Sequence, residues 1–167
     1  MRETPILRVE FSVARPRSMN DAYRPSKRGG MYLDPEVVAY KQRIIEAATV
    51  AFYHSAWPRN CFVPAKVVVG YRLWNYRGDV DGPRKALRDV LQGIFYSTDS
   101  GKIVADGATP WVENDGGESR LDAYVELYEV FPSKIAEKRE ADWLKRRLAR
   151  AARGSRPKKK RRPRWAA

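Results

Sequence analysis

The chain is short of the residues that staple small proteins or build metal centres. A single cysteine, Cys61, among 167 residues excludes an internal disulfide and leaves no second thiolate for a metal site. The sole histidine, His54, falls near the end of a predicted helix, where it reads as a solvated or packed side chain. No stretch is apolar enough and long enough to cross a membrane, and Met1-Arg2-Glu3-Thr4-Pro5 has no signal-peptide core. No internal repeat is visible. These absences point to a reducing, cytoplasmic setting. Acids are scarce too: 20 Asp and Glu stand against 33 Lys and Arg, a net charge of +13.

What is present suits one ordinary domain with a real core. Apolar residues make up 43% of the chain and five are Trp, which excludes wholesale disorder. The positive charge is uneven. Eight Lys or Arg and no acid lie from Arg153 onward, leaving +5 for residues 1–152. A moderately basic body with an extremely basic tail favours polyanions, with affinity that falls steeply as salt rises.

Ile6 to Val13 alternates apolar and polar residues and reads as a half-buried strand. Ala14 to Gly30 is irregular, with Gly29-Gly30 marking a turn. Its Arg15, Arg17, Arg24, Lys27 and Arg28 sit among Tyr23 and Tyr32, as either a phosphate clamp or an ordinary solvated loop. Asp34-Pro35-Glu36 is a helix start, and Val37, Tyr40, Ile44, Ala48 and Ala51 carry one apolar stripe toward about Ala56. Ala65 to Trp74 is apolar almost throughout and reads as a central strand. A helix follows from about Gly82 to Gly93. Lys102 to Val112 and Leu121 to Val130 read as two strands joined in a hairpin by Asn114-Asp115-Gly116-Gly117. Ser133 to Ala152 is a helix with sparse apolar residues. The order β-α-β-α-β-β-α predicts an α+β domain with a small mixed β-sheet packed with helices, over residues 1–132. The helix over 133–152 and a basic tail over 153–167 follow it.

The densest chemistry lies at Gly78-Asp79-Val80-Asp81-Gly82-Pro83-Arg84-Lys85-Ala86-Leu87-Arg88-Asp89. Asp79 and Asp81 flank one apolar residue between a strand and a helix, and Asp99 follows beyond that helix. In a basic chain, gathered carboxylates suit a divalent cation, since Mg2+ takes a few Asp oxygens plus waters and substrate phosphates. Asp81, Lys85 and Asp89 are spaced by four and share a helix face. Lys85 is then placed to stabilise phosphate charge or protonate a leaving oxygen. The plain alternative makes Asp79 and Asp81 turn residues and a helix cap, with Lys85 in a surface ion pair.

This run, followed by Asp99-Ser100-Gly101-Lys102-Ile103-Val104, resembles the core of the RusA-type Holliday junction resolvases. Asn20, Tyr23 and Arg24 resemble that family's Asn-rich Tyr-Arg segment, and Ala39-Tyr40-Lys41 its following helix. The resemblance spans roughly Leu7 to Val130. It implies a homodimer that cuts opposed strands of four-way junction DNA with Mg2+, or Mn2+ in its place, leaving nicks that ligase can seal. By position it makes Asp79, Asp81 and Asp99 the metal ligands and Lys85 the catalytic lysine. Two residues depart from the family pattern: Gly82 stands where Asn is usual, and Thr98 where the first of two Asp often stands. The loop from the helix to Asp99 is one residue shorter.

Candidate DNA-binding residues are Arg24, Lys27, Arg28, Arg77 and Arg84, with Lys158, Lys159, Lys160, Arg161 and Arg162 in the tail. That last run resembles a nuclear localisation signal, but in a bacterial or phage, nucleoid-associated protein it is a nonspecific DNA anchor. Two other functions fit the same residues: a junction- or duplex-binding protein that has lost cleavage, and a basic RNA-binding protein whose acidic motif is only a helix cap. Lacking acids and rich in charge, the tail is expected to be disordered without DNA. Truncation after Ala152 should weaken binding to every DNA shape and flatten the dependence of log affinity on log salt. On duplex DNA each phosphate that the tail neutralises adds about 0.9 to the steepness of that dependence. Preference for a four-way junction over linear duplex should survive the truncation in a competition gel shift, and its loss would make the tail part of the recognition surface.

Overall fold

A computed structural model describes residues 3–19, 22–25, 31–108 and 111–154. The chain divides into two units, Met1–Phe131 and Pro132–Ala167. The first holds seven described strands and two helices: β1 (Leu7–Ala14), β2 (Tyr23–Pro25), β3 (Met31–Leu33), α1 (Pro35–His54), β4 (Pro64–Trp74), α2 (Gly82–Leu91), β5 (Val104–Asp106), β6 (Val112–Glu113) and β7 (Arg120–Val130). The second holds α3 (Ser133–Gly154). The α+β class with a mixed sheet is therefore present.

The central pair is β4 and β7, antiparallel from Lys66↔Glu129 to Trp74↔Arg120. Antiparallel β1 lies outside β7, with Val9 opposite Val125. Two short strands share the other edge of β4, both parallel to it: β5 opposite Val67–Val69 and β6 opposite Leu73–Trp74. Alternation sends Val9, Phe11 and Val13, Val67, Val69, Tyr71 and Leu73, and Leu121, Ala123, Val125 and Leu127 to one buried face. The helices cover that face. α1 contributes Val37, Tyr40, Ile44, Ala48 and Phe52, and α2 contributes Ala86, Leu87 and Leu91. Phe95 stacks edge-on against Phe52 and Trp57, and its carbonyl accepts the Trp57 indole N–H at 3.0 Å. Asp34 caps α1 through the Glu36 N–H at 2.8 Å, as its Asp-Pro-Glu start predicts.

The opposite face carries no helix of the first unit and covers itself. The Tyr124 ring lies flat across two glycines, Gly70 and Gly107, where a Cβ on either would run into it. Arg8 stacks on that ring, 4.2 Å from its centroid, and is held by Glu10 and Glu126. Arg120 stacks on Trp74 in the same way.

Three expectations change. The hairpin across residues 114–117 does not form, because β6 and β7 lie on opposite sides of β4. The turn carries the chain over the end of β4 instead, and the Asp115 carboxylate accepts the Gly117 N–H at 2.9 Å. The strand expected over 102–112 is split into β5 and β6, since Gly107 sits beneath Tyr124 and leaves the β4 ladder after donating to the Val69 carbonyl. The stretch 14–30, read as irregular, holds one arm of the β2–β3 ribbon, whose three-residue strands are too short to show a pattern. In the second unit, α3 runs two residues past its expected end and exposes Trp143, Leu144 and Leu148. No described helix is long and apolar enough to cross a membrane.

Replacing Gly70 by Ala should cost about 1–3 kcal/mol by forcing the Tyr124 ring off the sheet. Gly101→Ala, where a Cβ meets nothing within 4 Å, should stay within about 0.5 kcal/mol of the parent. Urea unfolding midpoints of the two variants measure the difference.

Candidate functional site

The end of β4 sets up the acidic turn. Beyond Trp74 the chain enters the left-handed region at Asn75 (φ 49°). The Asn75 N–H donates to the Glu113 carbonyl at 2.8 Å, its side-chain amide donates to Asp115 at 2.5 Å, and its amide oxygen accepts the Asp115 N–H at 3.2 Å. The strain at Asn75 is thereby held from three directions. The Tyr76 ring folds back over Gly78, leaving no room there for a Cβ. Asp79 then accepts the Asp81 N–H through Oδ1 at 3.1 Å, and its carbonyl accepts the Gly82 N–H at 3.0 Å. Pro83 opens α2.

Asp81 occupies the N-cap position of α2, yet its side chain makes no capping bond. Its carboxylate is 57% exposed and faces Arg84 at 3.7 Å. The helix N-terminus favours negative charge beside it. The carboxylate is thus held in place and left available.

A carboxylate that the sequence pattern does not single out, Asp106, joins this region. The parallel register of Val69 with Asp106 brings the end of β5 alongside α2. Arg84 reaches Asp81 on one side and Asp106 at 3.5 Å on the other. One turn later, Arg88 reaches Asp106 at 3.5 Å and donates to the Asp99 carbonyl at 2.7 Å. Between Tyr71, Asp81, Arg84 and Asp106 lies a cavity of about 310 Å³. The Tyr71 hydroxyl donates to the Val80 carbonyl at 2.7 Å, and burial, then the Asp81 charge, raise its pKa. The only sequence signal for Asp106 is its place at an expected strand's polar position. Its neighbours depend on which strand that strand pairs with.

The structure brings Asp79 and Asp81 onto one turn, while Asp99 lies past the far end of α2 and meets Arg88 through its backbone. Lys85 is exposed on α2, one turn after Asp81. Asp89, the third residue expected on that face, pairs with Lys41 of α1 at 3.3 Å. Arg24 is tied to Asp34, and Arg77 lines a second cavity near Gly78. Asn20, Lys27, Arg28 and the run Lys158, Lys159, Lys160, Arg161 and Arg162 lie outside the described residues.

The two departures from the resolvase pattern have local explanations. Ser18 packs directly against Gly82, and Met19 donates to the Gly82 carbonyl at 3.1 Å, so an Asn side chain has no space there. The Thr98 hydroxyl accepts the Ser100 N–H at 3.3 Å, a local turn bond that an Asp carboxylate makes equally well.

Among the described residues, no three His, Cys, Asp or Glu side chains gather as a metal-holding group. The donor chemistry of Asp79 and Asp81 nevertheless fits Mg2+, which is commonly held by one or two carboxylates and completed by substrate phosphates and water. Those two residues would hold the ion.

No family model matches the chain, and no curated protein matches it. Among solved structures, a GTPγS-form protofilament of Bacillus thuringiensis serovar israelensis TubZ aligns at 14% identity with a TM-score of 0.36. The alignment covers 88% of this chain and 32% of that one, so the chain spans about a third of its length. A likeness this distant carries no weight for fold or function.

The turn beneath the site has a pH signature. Hydrogen bonds from Asn75, then from Gly117 and Arg120, hold the Asp115 carboxyl down at about 2. Its unfolded value is near 3.9. A depressed carboxyl contributes stability that is full above about pH 4 and is lost as pH falls toward 2. Asn75→Ala should move the Asp115 titration up toward the ordinary carboxylate range, read from its side-chain carbon shift by NMR.

Proposed function

We propose that the protein is a Mg2+-dependent, structure-selective endodeoxyribonuclease of the RusA type, acting as a homodimer on four-way DNA junctions in a bacterial or phage-infected cytoplasm. The observation that carries this reading is the Asp79–Asp81 turn, where the N-cap residue keeps its carboxylate out of the cap and exposed to solvent. A mere helix cap would spend that oxygen on a backbone N–H.

Bound Mg2+ would neutralise charge building on the scissile phosphate. Asp79 and Asp81 would hold it at the α2 N-terminus, and Asp99 belongs to the proposed set through the resemblance. Lys85, exposed and one turn from Asp81, would stabilise the phosphate or return a proton to the leaving oxygen. The basic body supplies the attraction for the backbone, independent of base sequence.

One observation favours a second reading, a junction- or duplex-binding protein impaired in cleavage. Arg84 and Arg88 engage Asp106, Arg84 faces Asp81, and Asp99 stands apart. Cleavage of a synthetic four-way junction with and without Mg2+ separates the two. Asp81→Asn should lower cleavage about a hundredfold or more while gel-shift affinity holds. Lys85→Ala should lower it by about 10²–10⁴-fold with a small change in binding. Full cleavage by Asp81→Asn would remove that residue from the site, and no cleavage by the parent protein would leave the binding-only reading.

A further inference from the structure

The arginines of the first unit fall into two groups. Arg8, Arg17, Arg24, Arg72, Arg84, Arg88 and Arg120 are paired with carboxylates. Arg43 and Arg59 are spent on backbone carbonyls at helix ends and loops. Among the described residues of this unit, only the guanidinium groups of Arg15 and Arg77 have no hydrogen bond or ion pair. Both line the same cavity, of about 460 Å³, between the end of β1, the start of α1 and the loop after β4.

That cavity is built to stay positive. Among the described residues its two acids are already taken, Glu36 by Arg17 at 2.5 Å and Asp34 by Arg24. The backbone beneath Arg15 is fixed at φ 52°, with its N–H on the Ser119 carbonyl at 2.8 Å and its own carbonyl on Arg43 at 3.0 Å. A non-glycine residue held there stores roughly 1–3 kcal/mol of strain that the surrounding bonds offset. On the other wall, Arg77 follows strained Asn75 by two residues and precedes Asp79 by two. Gly78 lines the cavity, and so does Ser18, which packs against Gly82 at the start of α2. The cavity and the acidic turn are therefore adjacent along two separate pieces of chain.

We propose that Arg15 and Arg77 form a subsite for a backbone phosphate of a nucleic-acid strand, adjoining the bond presented to Asp79 and Asp81. Two residues lining one cavity with their guanidinium groups unspent suit the oxygens of a phosphodiester, and Arg binds phosphate in a fixed bidentate geometry. The subsite positions the strand, carries no base information, and rests on the nuclease reading for what lies next to it.

The test uses the full chain in EDTA, so that no cleavage is needed. Arg15→Gly/Arg77→Ala removes both forks, and glycine accepts the positive φ at position 15 without strain. Its salt slope on a linear duplex, from anisotropy titrations across a KCl series, should be lower than that of the parent by about 0.9, the value for the one phosphate no longer neutralised. Arg15→Lys/Arg77→Lys keeps both charges and should restore the slope. Sodium phosphate at matched ionic strength, followed by calorimetry, should show no binding below about 1 mM. An unchanged slope in the first variant overturns the subsite, as does a lysine pair that fails to restore it. Tight binding of inorganic phosphate with an unchanged duplex slope would make this a free-anion site and also overturns it. A lowered slope in a protein that never cleaves a junction with Mg2+ sinks the nuclease reading alone, and a cleaving protein with an unchanged slope sinks the subsite alone.

Discussion

The antiparallel pairing of β4 with β7 is the constraint on which the rest of the first unit depends. Both strands run eleven residues, long for strands in globular proteins, and their ladder holds from Lys66 to Trp74 with one irregularity near its start. The alternation in that ladder fixes which side chains meet α1 and α2. Fully burying a Val or Leu contributes about 1.5–3 kcal/mol, so a one-residue slip that turned Val67, Val69, Leu73, Leu121, Val125 and Leu127 outward would cost as much as the whole net stability of a domain. Because the register is so firmly set, the end of β4 is set too, and Asn75 begins its left-handed turn at a fixed place over β7 and β6. The position of the acidic turn is a consequence of sheet register.

Elements whose cause is local were legible in the sequence. The Asp34-Pro35-Glu36 start of α1, the apolar run of β4 and the Pro83 start of α2 each carry their reason within a few residues, and each forms where expected. The stripe on α1 differs only at its end, where Phe52 is buried in place of the expected Ala51. Elements whose cause is distant were not legible. Asn114-Asp115-Gly116-Gly117 does turn, but turn chemistry says nothing about which strands a turn joins. A parallel partner for β4 draws β6 to the far edge, and the turn becomes a crossing over the strand end. Gly107 breaks the 102–112 run for a reason lying in β7, the flat ring of Tyr124.

The site divides in the same way. Asp79 and Asp81 come together because they are two residues apart on a turn whose start and end are both fixed. Asp99 does not join them, since ten residues of α2 and a loop intervene and Arg88 holds that loop by its backbone. Asp106 was hidden because its neighbourhood is made by the β4–β5 register and by the spacing of Arg84 and Arg88. Arg15 and Arg77 stand out only after every other described guanidinium in the unit has been given a partner. That accounting needs coordinates, because nothing in either local pattern points at the other across so long a stretch of chain.

Arg84 poses the remaining question, since a cation already lies between Asp81 and Asp106. Its ion pairs are 3.7 Å and 3.5 Å long, and its side chain is 41% exposed. Ion pairs of that kind contribute about 0–1 kcal/mol, because water and salt screen them and holding a long side chain still costs entropy. A divalent ion held by Asp79 and Asp81, as proposed, would attract those carboxylates far more strongly than Arg84 does. Arg84 therefore offsets the repulsion among these carboxylates without committing them. A shift of its long, flexible side chain would leave Asp81 on its turn, where the Asp79 bond and the helix start hold it. The Asp79–Asp81 geometry is maintained by backbone and the charge balance by a mobile side chain, so neutralising the site and keeping it available are compatible.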